Sequence, residues 1–454
     1  MNKTIVATAL AALFLAPTVS AIEIYKDDKN AVEIGGFIDA RVINTQGETE
    51  VVNGASRINF GFSRELTHGW NAFAKLEWGV NPVGNSDIVY NNRFESVQDE
   101  FFYNRLGYAG ISHDKYGTIT IGKQWGAWYD VVYNTNYGFV WDGNAAGVYT
   151  FNKDDGAVNG VGRGDKTVQY RNSFGDFSFA VQSQLKNNSF YTCDIENITE
   201  EACEAEWNAG KKEAQQVTYD YTYGGSVTYK ATDKLSLMAG VNRGEFDIAY
   251  GNGDQKTAVD LIYGVGATWG DFDKNGLYVA ANVHKEENHD TDNIGRLIKD
   301  AYGVETLVSY KFDNGLRPFV SYNILDAGKD YVIQPNFNAD PNDVFKRQFV
   351  VVGLHFVWDP STVLYVEARK DYSDFTSADQ AQEARMSLSE DDGIAIGCCA
   401  YGLFGNELLD KEKGDAKEAS RPPMWKSPLS PYTGPSYTET EIKQAITEAE
   451  PWLE

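Results

Sequence analysis

From about residue 31 onward the chain alternates. Runs of roughly ten residues carry apolar side chains at one parity and polar, small or charged ones at the other, the period of a strand with two unlike faces. In 301–312 the apolar parity is Tyr302, Val304, Val308, Tyr310 and Phe312, opposite Gly303, Glu305, Ser309 and Lys311. In 69–80 it is Trp70, Ala72, Ala74, Leu76, Trp78 and Val80, opposite Asn71, Lys75 and Glu77. The pattern recurs near 31–42, 56–64, 101–112, 117–124, 166–172, 176–185, 217–230, 235–246, 259–270, 276–285, 315–325, 347–358, 362–371 and, less regularly, 392–404. Runs 166–172 and 176–185 lie close enough to share one hairpin, and the expected strand count is sixteen.

The connections alternate too. Tight ones read Asp233-Lys234, 271–275, Asp313-Asn314-Gly315 and Asp359-Pro360-Ser361; long polar ones fall near 81–97, 125–165, 186–215, 247–258, 286–299, 328–346 and 372–391. A soluble β-sandwich would bury its apolar parity against a second sheet and has no need of this short-and-long rhythm. A barrel in the outer membrane of a bacterium has it, with short periplasmic turns and longer external loops. Aromatic residues gather at strand ends, as Trp70, Trp78, Trp269, Tyr310, Phe312 and Trp358, where such barrels carry interfacial girdles. The pattern therefore predicts an all-β fold, a transmembrane antiparallel β-barrel of sixteen strands.

Composition narrows the field further. The 454 residues include 43 Gly, 27 Tyr, 24 Phe and 10 Trp, and 13% aromatic content argues against a disordered chain. Past the N-terminus no stretch approaches the ~18 apolar residues of a spanning helix. A net charge of −25 has the wrong sign for a nucleic-acid binder held by phosphate contacts.

Residues 1–21 read as a signal peptide, with Lys3 as its charged start, Thr4 to Ala16 as its apolar stretch and Val19-Ser20-Ala21 as its cleavage site. Export permits disulfides, and Cys193 and Cys203, 10 residues apart in a polar segment, can close a loop. A bridge between the adjacent Cys398 and Cys399 would be strained. No CxxC is present and His68, His113, His284, His289 and His355 are scattered, so no metal or cofactor is expected and the histidines read as ordinary solvated side chains.

Certain stretches carry a resemblance. Asn104-Arg105-Leu106-Gly107-Tyr108-Ala109-Gly110-Ile111, followed by Tyr116-Gly117-Thr118-Ile119-Thr120-Ile121-Gly122-Lys123-Gln124, resembles the general diffusion porins of Gram-negative outer membranes. Ser56-Arg57-Ile58-Asn59-Phe60-Gly61-Phe62 is similar to that family's second strand, and Gly162-Arg163 with Thr167-Val168-Gln169-Tyr170-Arg171-Asn172-Ser173 to the end of its constriction loop and the next strand. The likeness covers about residues 1–397 and implies a homotrimer of water-filled pores, each narrowed by an inward-folded third loop, here Trp125 to Asp165.

By resemblance Arg57, Arg105 and Arg163 match the basic side of the constriction, and Asp142, with Asp130 behind it, is the best acidic counterpart on the loop. Parity agrees for two of the three. Ile58, Phe60 and Phe62 make the apolar face of 56–64, and Phe102, Leu106 and Tyr108 that of 101–112, so Arg57 and Arg105 face the lumen and escape the ~2–4 kcal/mol cost of the lipid face. Where enteric members have a basic residue on the first strand this chain has Phe37, while Asp39 and Arg41 share its inward parity. Glu33, Asp39, Glu77, Glu305 and Glu367 nearly balance Arg57, Arg105, Arg163, Arg317 and Arg369, and acidic loops at the mouth suggest a weak preference for cations.

The expected function is passive diffusion of small hydrophilic solutes and ions, with outer-membrane lipids and lipopolysaccharide as surroundings and no nucleic acid. Tyr129, Tyr133, Tyr137 and Trp141 recur every four residues and raise the alternative of a substrate-specific porin with an aromatic slide. A barrel enzyme is the other alternative, but no Gly-x-Ser-x-Gly, His-Glu-x-x-His or phosphate-cradling loop is present, and no catalytic residue is expected. The barrel domain is expected over 22–404. Residues 405–454 hold 6 of the 12 prolines and depart from the family, which ends on an aromatic residue; a shifted reading frame, a partner-binding tail and a periplasmic extension are the readings open to them.

Overall fold

The computed structural model describes residues 22–84, 101–141, 143–148, 156–185, 189–193, 200–212, 214–293, 296–332, 340–359, 361–377, 380–387 and 391–401. Its strands are β1 (Ile22–Lys26), β2 (Asn30–Thr45), β3 (Glu48–Asn53), β4 (Arg57–Glu65), β5 (Trp70–Val80), β6 (Phe102–His113), β7 (Gly117–Trp125), β8 (Arg163–Phe174), β9 (Phe177–Gln184) and β10 (Phe190–Thr192). There follow β11 (Gln215–Lys230), β12 (Leu235–Tyr250), β13 (Gln255–Trp269), β14 (Gly276–Glu287), β15 (Asp300–Lys311), β16 (Leu316–Lys329), β17 (Val344–Asp359), β18 (Thr362–Asp371), β19 (Asp374–Thr376) and β20 (Gly393–Tyr401). Among the described residues three short α-helices lie in connections: α1 (Tyr129–Val132), α2 (Glu200–Asn208) and α3 (Gln380–Met386).

All of the strands belong to one sheet. Four short segments continue a longer one on the same partner: β1 and β20 both pair with β2, β3 and β4 also with β2, β9 and β10 with β11, and β18 and β19 with β17. What results is a closed antiparallel barrel of 16 strands. Closure satisfies every edge, which a sheet in lipid requires. Among the described residues no helix is long and apolar enough to cross a membrane.

Parity sets the two faces. Ile119, Ile121, Val181, Val265, Val352, Ile394 and Ile396 are exposed on the outside, a band of apolar surface that suits hydrocarbon and would be a liability in water. At the rim with the short turns, Phe174, Phe177, Trp269, Tyr310, Phe312 and Trp358 are exposed as a girdle, and the Phe177 ring stacks on Tyr229 at 4.5 Å.

Runs 166–172 and 176–185 share one hairpin as expected, two wall strands, β8 and β9, joined by a tight turn. Other expectations need amending. The stretch 247–258 is no long loop: β12 and β13 stay paired as far as Ala249 and Gln255, leaving only a short turn. Outward-facing Glu245, Asp247 and Thr257 are polar there, so the alternation fades although the ladder continues. Similarly β2 runs on to Thr45 and turns through Gln46 and Gly47, both at positive φ (56° and 79°), the backbone of a two-residue hairpin turn.

The face assigned to 106–108 is reversed. Trp78 pairs with Asn104 and Glu77 with Leu106, so Arg105 is the extra residue of a β-bulge, and a bulge resets the phase of all that follows. Leu106 lies opposite inward-facing Glu77, and Tyr108 opposite Lys75, its ring edge-on to Phe73. Both therefore share the lumen side with Arg105.

Ile22 pairs with Ile34 and Tyr401 with Phe37, so β1 and β20 lie end to end in a single wall position. Ala400 and Tyr401 do close the barrel against β2. Residues 1–21 and 402–454, with the signal peptide and tail read from them, lie outside the described residues. Cys193 and Cys203 are joined in a disulfide, Cα to Cα 5.3 Å, that ties α2 to β10, while Cys398 and Cys399 are free thiols.

Candidate functional site

The described parts of segment 126–162 fold into the barrel and are held there by polar anchors. Its base is pinched by the Gly126 amide donating to the Gly162 carbonyl at 2.7 Å. From there Asp130 on α1 accepts from Arg171 of β8 and Ser226 of β11, each at 2.7 Å. The Tyr278 hydroxyl of β14 donates to the Asn134 carbonyl at 2.8 Å. Glu305 of β15 accepts from the Thr135 hydroxyl at 2.6 Å and from the Ala145 amide at 3.0 Å. Glu367 of β18 accepts from the amides of Phe139 and Val140 at 2.7 and 3.0 Å, while His355 of β17 bonds the oxygen that Phe139 uses, at 3.0 Å. Arg41 of β2 donates to the Phe139 carbonyl at 2.5 Å, and Arg347 of β17 to that of Asn144 at 3.1 Å. A carboxylate taking two backbone amides satisfies groups that a loop buried inside a barrel could not otherwise pair.

Between these anchors the loop packs by its rings. Tyr137 stacks on Phe272 at 4.0 Å and Phe139 on Tyr365 at 4.4 Å, with the Arg317 guanidinium 3.9 Å from the Phe272 ring centre. Phe37, Tyr278, Phe319, Phe349 and Val351 of the wall, with Trp141 of the loop, join them in one buried cluster. A second cluster sets Trp128, Tyr129, Val131 and Val132 against Met238 and Ile262 of β12 and β13. The loop thus has its own hydrophobic core inside the barrel.

The anchors lie on an arc running from β8 round to β2. The stretch of wall between the two ends of that arc carries the basic pair. Arg57 of β4 and Arg105 of β6 flank the buried Glu77 of β5, at 3.7 and 2.9 Å. Arg57 also lies 4.5 Å over the Phe37 ring and donates to the Ala55 carbonyl at 3.0 Å. Two guanidinium groups share one carboxylate here. The bulge at Arg105 aims a side chain into the lumen that a regular ladder would crowd against its neighbours.

The other expected site residues divide. Arg163 sits opposite Trp125 at the base of the loop, its guanidinium 5.9 Å from that ring and two strands along from Arg105. Asp130 is not brought to the basic pair, because Arg171 and Ser226 hold it to the wall. Asp142 lies outside the described residues. Tyr129 is buried against Trp125 at 4.2 Å, Tyr133 stands 6.1 Å from Tyr129, Tyr137 is the ring stacked on Phe272, and Trp141 is buried. Asp39 and Arg41 pair with each other at 2.6 Å and reach Tyr365 and the loop respectively.

Comparison with known proteins gives the site its context. The family model described as Gram-negative porin matches residues 7–376. The chain belongs to the Gram-negative porin family. Outer membrane porin C of Enterobacter cloacae is 26% identical over 409 residues, covering 87% of this chain and 99% of its own. Outer membrane protein F of Serratia marcescens is 26% identical over 420 residues, covering 87% and 98%. Among solved structures, OmpF of Salmonella typhi in complex with daunomycin superposes with a TM-score of 0.58 at 21% identity over 84% of this chain and 100% of that one. This porin is an outer-membrane channel for passive diffusion, not an enzyme.

Reading the porin's sequence identified lumen-facing acids but not their work. Glu305 and Glu367 serve the loop rather than balancing the wall arginines. The solvated reading fails for His284, His289 and His355, all fully buried. Glu367 bonds loop amides more than two hundred positions away, and no local pattern announces so distant a pairing.

Proposed function

We propose that solutes cross this porin between the wall bearing Arg57, Arg105 and Arg163 and the inner edge of loop 126–162, with Asp142 as the facing charge, and that three copies assemble as a trimer. The observation that carries this reading is the one-sided anchoring: Glu305 and Glu367 are occupied by loop donors, while Arg57 and Arg105 meet on the remaining wall around Glu77. A basic wall opposite a loop carboxylate makes a transverse field that orients dipolar solutes and is felt strongly where water is scarce. The loop's aromatic rings are engaged in packing against the wall, which favours general diffusion over an aromatic slide. We read residues 1–21 as a removed signal peptide, 22–404 as the barrel and 405–454 as an extension the barrel does not need, with lipid and lipopolysaccharide against the apolar band.

The test is single-channel recording in a planar bilayer, comparing the chain from Ile22 with a version ending at Phe404 and with Arg57→Ser in each. Steps closing in threes from both lengths, with Arg57→Ser moving the reversal potential toward cations, are expected. An unchanged reversal potential would sink the constriction as placed here.

A further inference from the structure

The histidine that closes the outer end of the loop's return limb is unused by the reading so far. His289, in the external connection between β14 and β15, is fully buried, its Nδ1 against the Asp260 carboxylate of β13 and its Nε2 2.7 Å from the Gly147 carbonyl. Both partners are pure acceptors. A neutral imidazole has one N–H and would turn a lone pair on one of them; only the doubly protonated ring satisfies both. Asp260 is itself saturated, taking the Tyr219 hydroxyl of β11 at 2.7 Å and the Asn159 amide at 3.1 Å on its other oxygen. One carboxylate therefore holds the return limb of the constriction loop at two points, Asn159 directly and Gly147 through His289.

The fit at Gly147 is tight. It has φ +62°, and a Cβ there would stand 2.1 Å from the Ile262 side chain and 3.2 Å from His289 Nε2. Burial alone would favour the neutral ring, but the Asp260 charge, with help from Glu286 and the Gly147 carbonyl, overrides it and raises the His289 pKa to about 10. The charged groups around the ring are Asp260, Glu286 beside His284 on β14, Asp290 on the same connection and Arg347 of β17, the last 4.0 Å from Asp290.

We propose that His289 is a positioning residue of the pore, an imidazolium clamp between Asp260 and Gly147 that fastens the return limb of the constriction loop and keeps the open channel quiet. Because its pKa is raised on folding, the clamp is complete below the ordinary imidazole range and is lost as pH rises through about 10. This inference rests on loop 126–162 being the constriction.

The experiment is single-channel recording of the full-length protein from pH 8 to pH 11. Wild type should gain time in subconductance levels by about tenfold, the factor that one charge-assisted hydrogen bond implies, with a midpoint near pH 10. His289→Phe should show that noise already at pH 8 and change little further, while His289→Lys, which keeps charge and donors, should be quiet at pH 8. Asp260→Asn provides a second route if His289→Phe does not form a barrel. A wild-type channel unchanged up to pH 11, or His289→Phe indistinguishable from wild type at every pH, overturns the proposal. Should Arg57→Ser leave selectivity unmoved while His289→Phe alters the noise, the basic wall of the constriction is misplaced while loop 126–162 and its clamp stand.

Discussion

Two arcs of the same wall, built from the same alternation, do opposite jobs. From β14 round to β2 the inward positions hold Tyr278, Phe319, Phe349, Val351, Tyr365 and Phe37, with Glu305 and Glu367 among them, and they receive the loop as a core receives a helix. From β4 to β6 the inward positions hold Arg57, Glu77 and Arg105. One arc spends its side chains on packing and the other presents charge. The barrel is thus asymmetric in cross-section, and the asymmetry comes from a few inward residues rather than from the backbone.

The strongest way to break that difference is to free the loop from its arc. Glu367→Ala removes the acceptor of two amides and a histidine, and with several buried donors stranded at ~1–3 kcal/mol each, stability against urea in lipid vesicles should fall by about 3 kcal/mol and conductance should become irregular. Phe272→Ala removes the ring under Tyr137 and the face under Arg317. A truncation of a buried Phe costs ~3–5 kcal/mol in a closed core, but this loop can partly collapse onto the gap, so about 2 kcal/mol is expected in the same assay, with conductance raised.

The opposite arc is sharpened rather than broken by Arg105→Ser. A unit charge 4 Å from an ion is worth ~1 kcal/mol even in water, so the anion-to-cation permeability ratio should drop about fivefold by reversal potential. Stability should fall by about 1–2 kcal/mol, because the buried Glu77 loses its 2.9 Å hydrogen bond from Arg105 and keeps only Arg57 at 3.7 Å. The smallest effect is expected at Arg171→Gln, whose pairing with Asp130 is partly solvated and worth no more than ~1 kcal/mol. Conductance and selectivity there should stay unaltered, because Ser226 still holds Asp130 to the wall at 2.7 Å.

Much of the wall was legible because parity is local. Tyr302 to Phe312 declare their faces within twelve residues, and the tight turns follow from Asp-Asn-Gly and Asp-Pro-Ser. Parity failed at Leu106 and Tyr108, where one bulged residue shifts the phase, and at 247–258, where the outer face rises out of lipid and no longer needs to be apolar. The basic pair was within reach because the family resemblance marked both arginines and their strands stand either side of β5. The loop's anchors were not: Glu305, Glu367 and His289 are ordinary letters until the fold brings Ala145, Phe139 and Gly147 to them.

That β1 and β20 lie end to end against β2 also governs when the barrel can come into being. During synthesis β2 emerges almost first and must wait for the last wall strand before its open edge is covered. Every intermediate before that moment exposes unpaired amides and carbonyls, and the closing contact carries the largest loop-entropy cost of any in the chain. Folding of this porin therefore cannot proceed strand by strand behind translation. Closure waits for the last wall strand to reach β2.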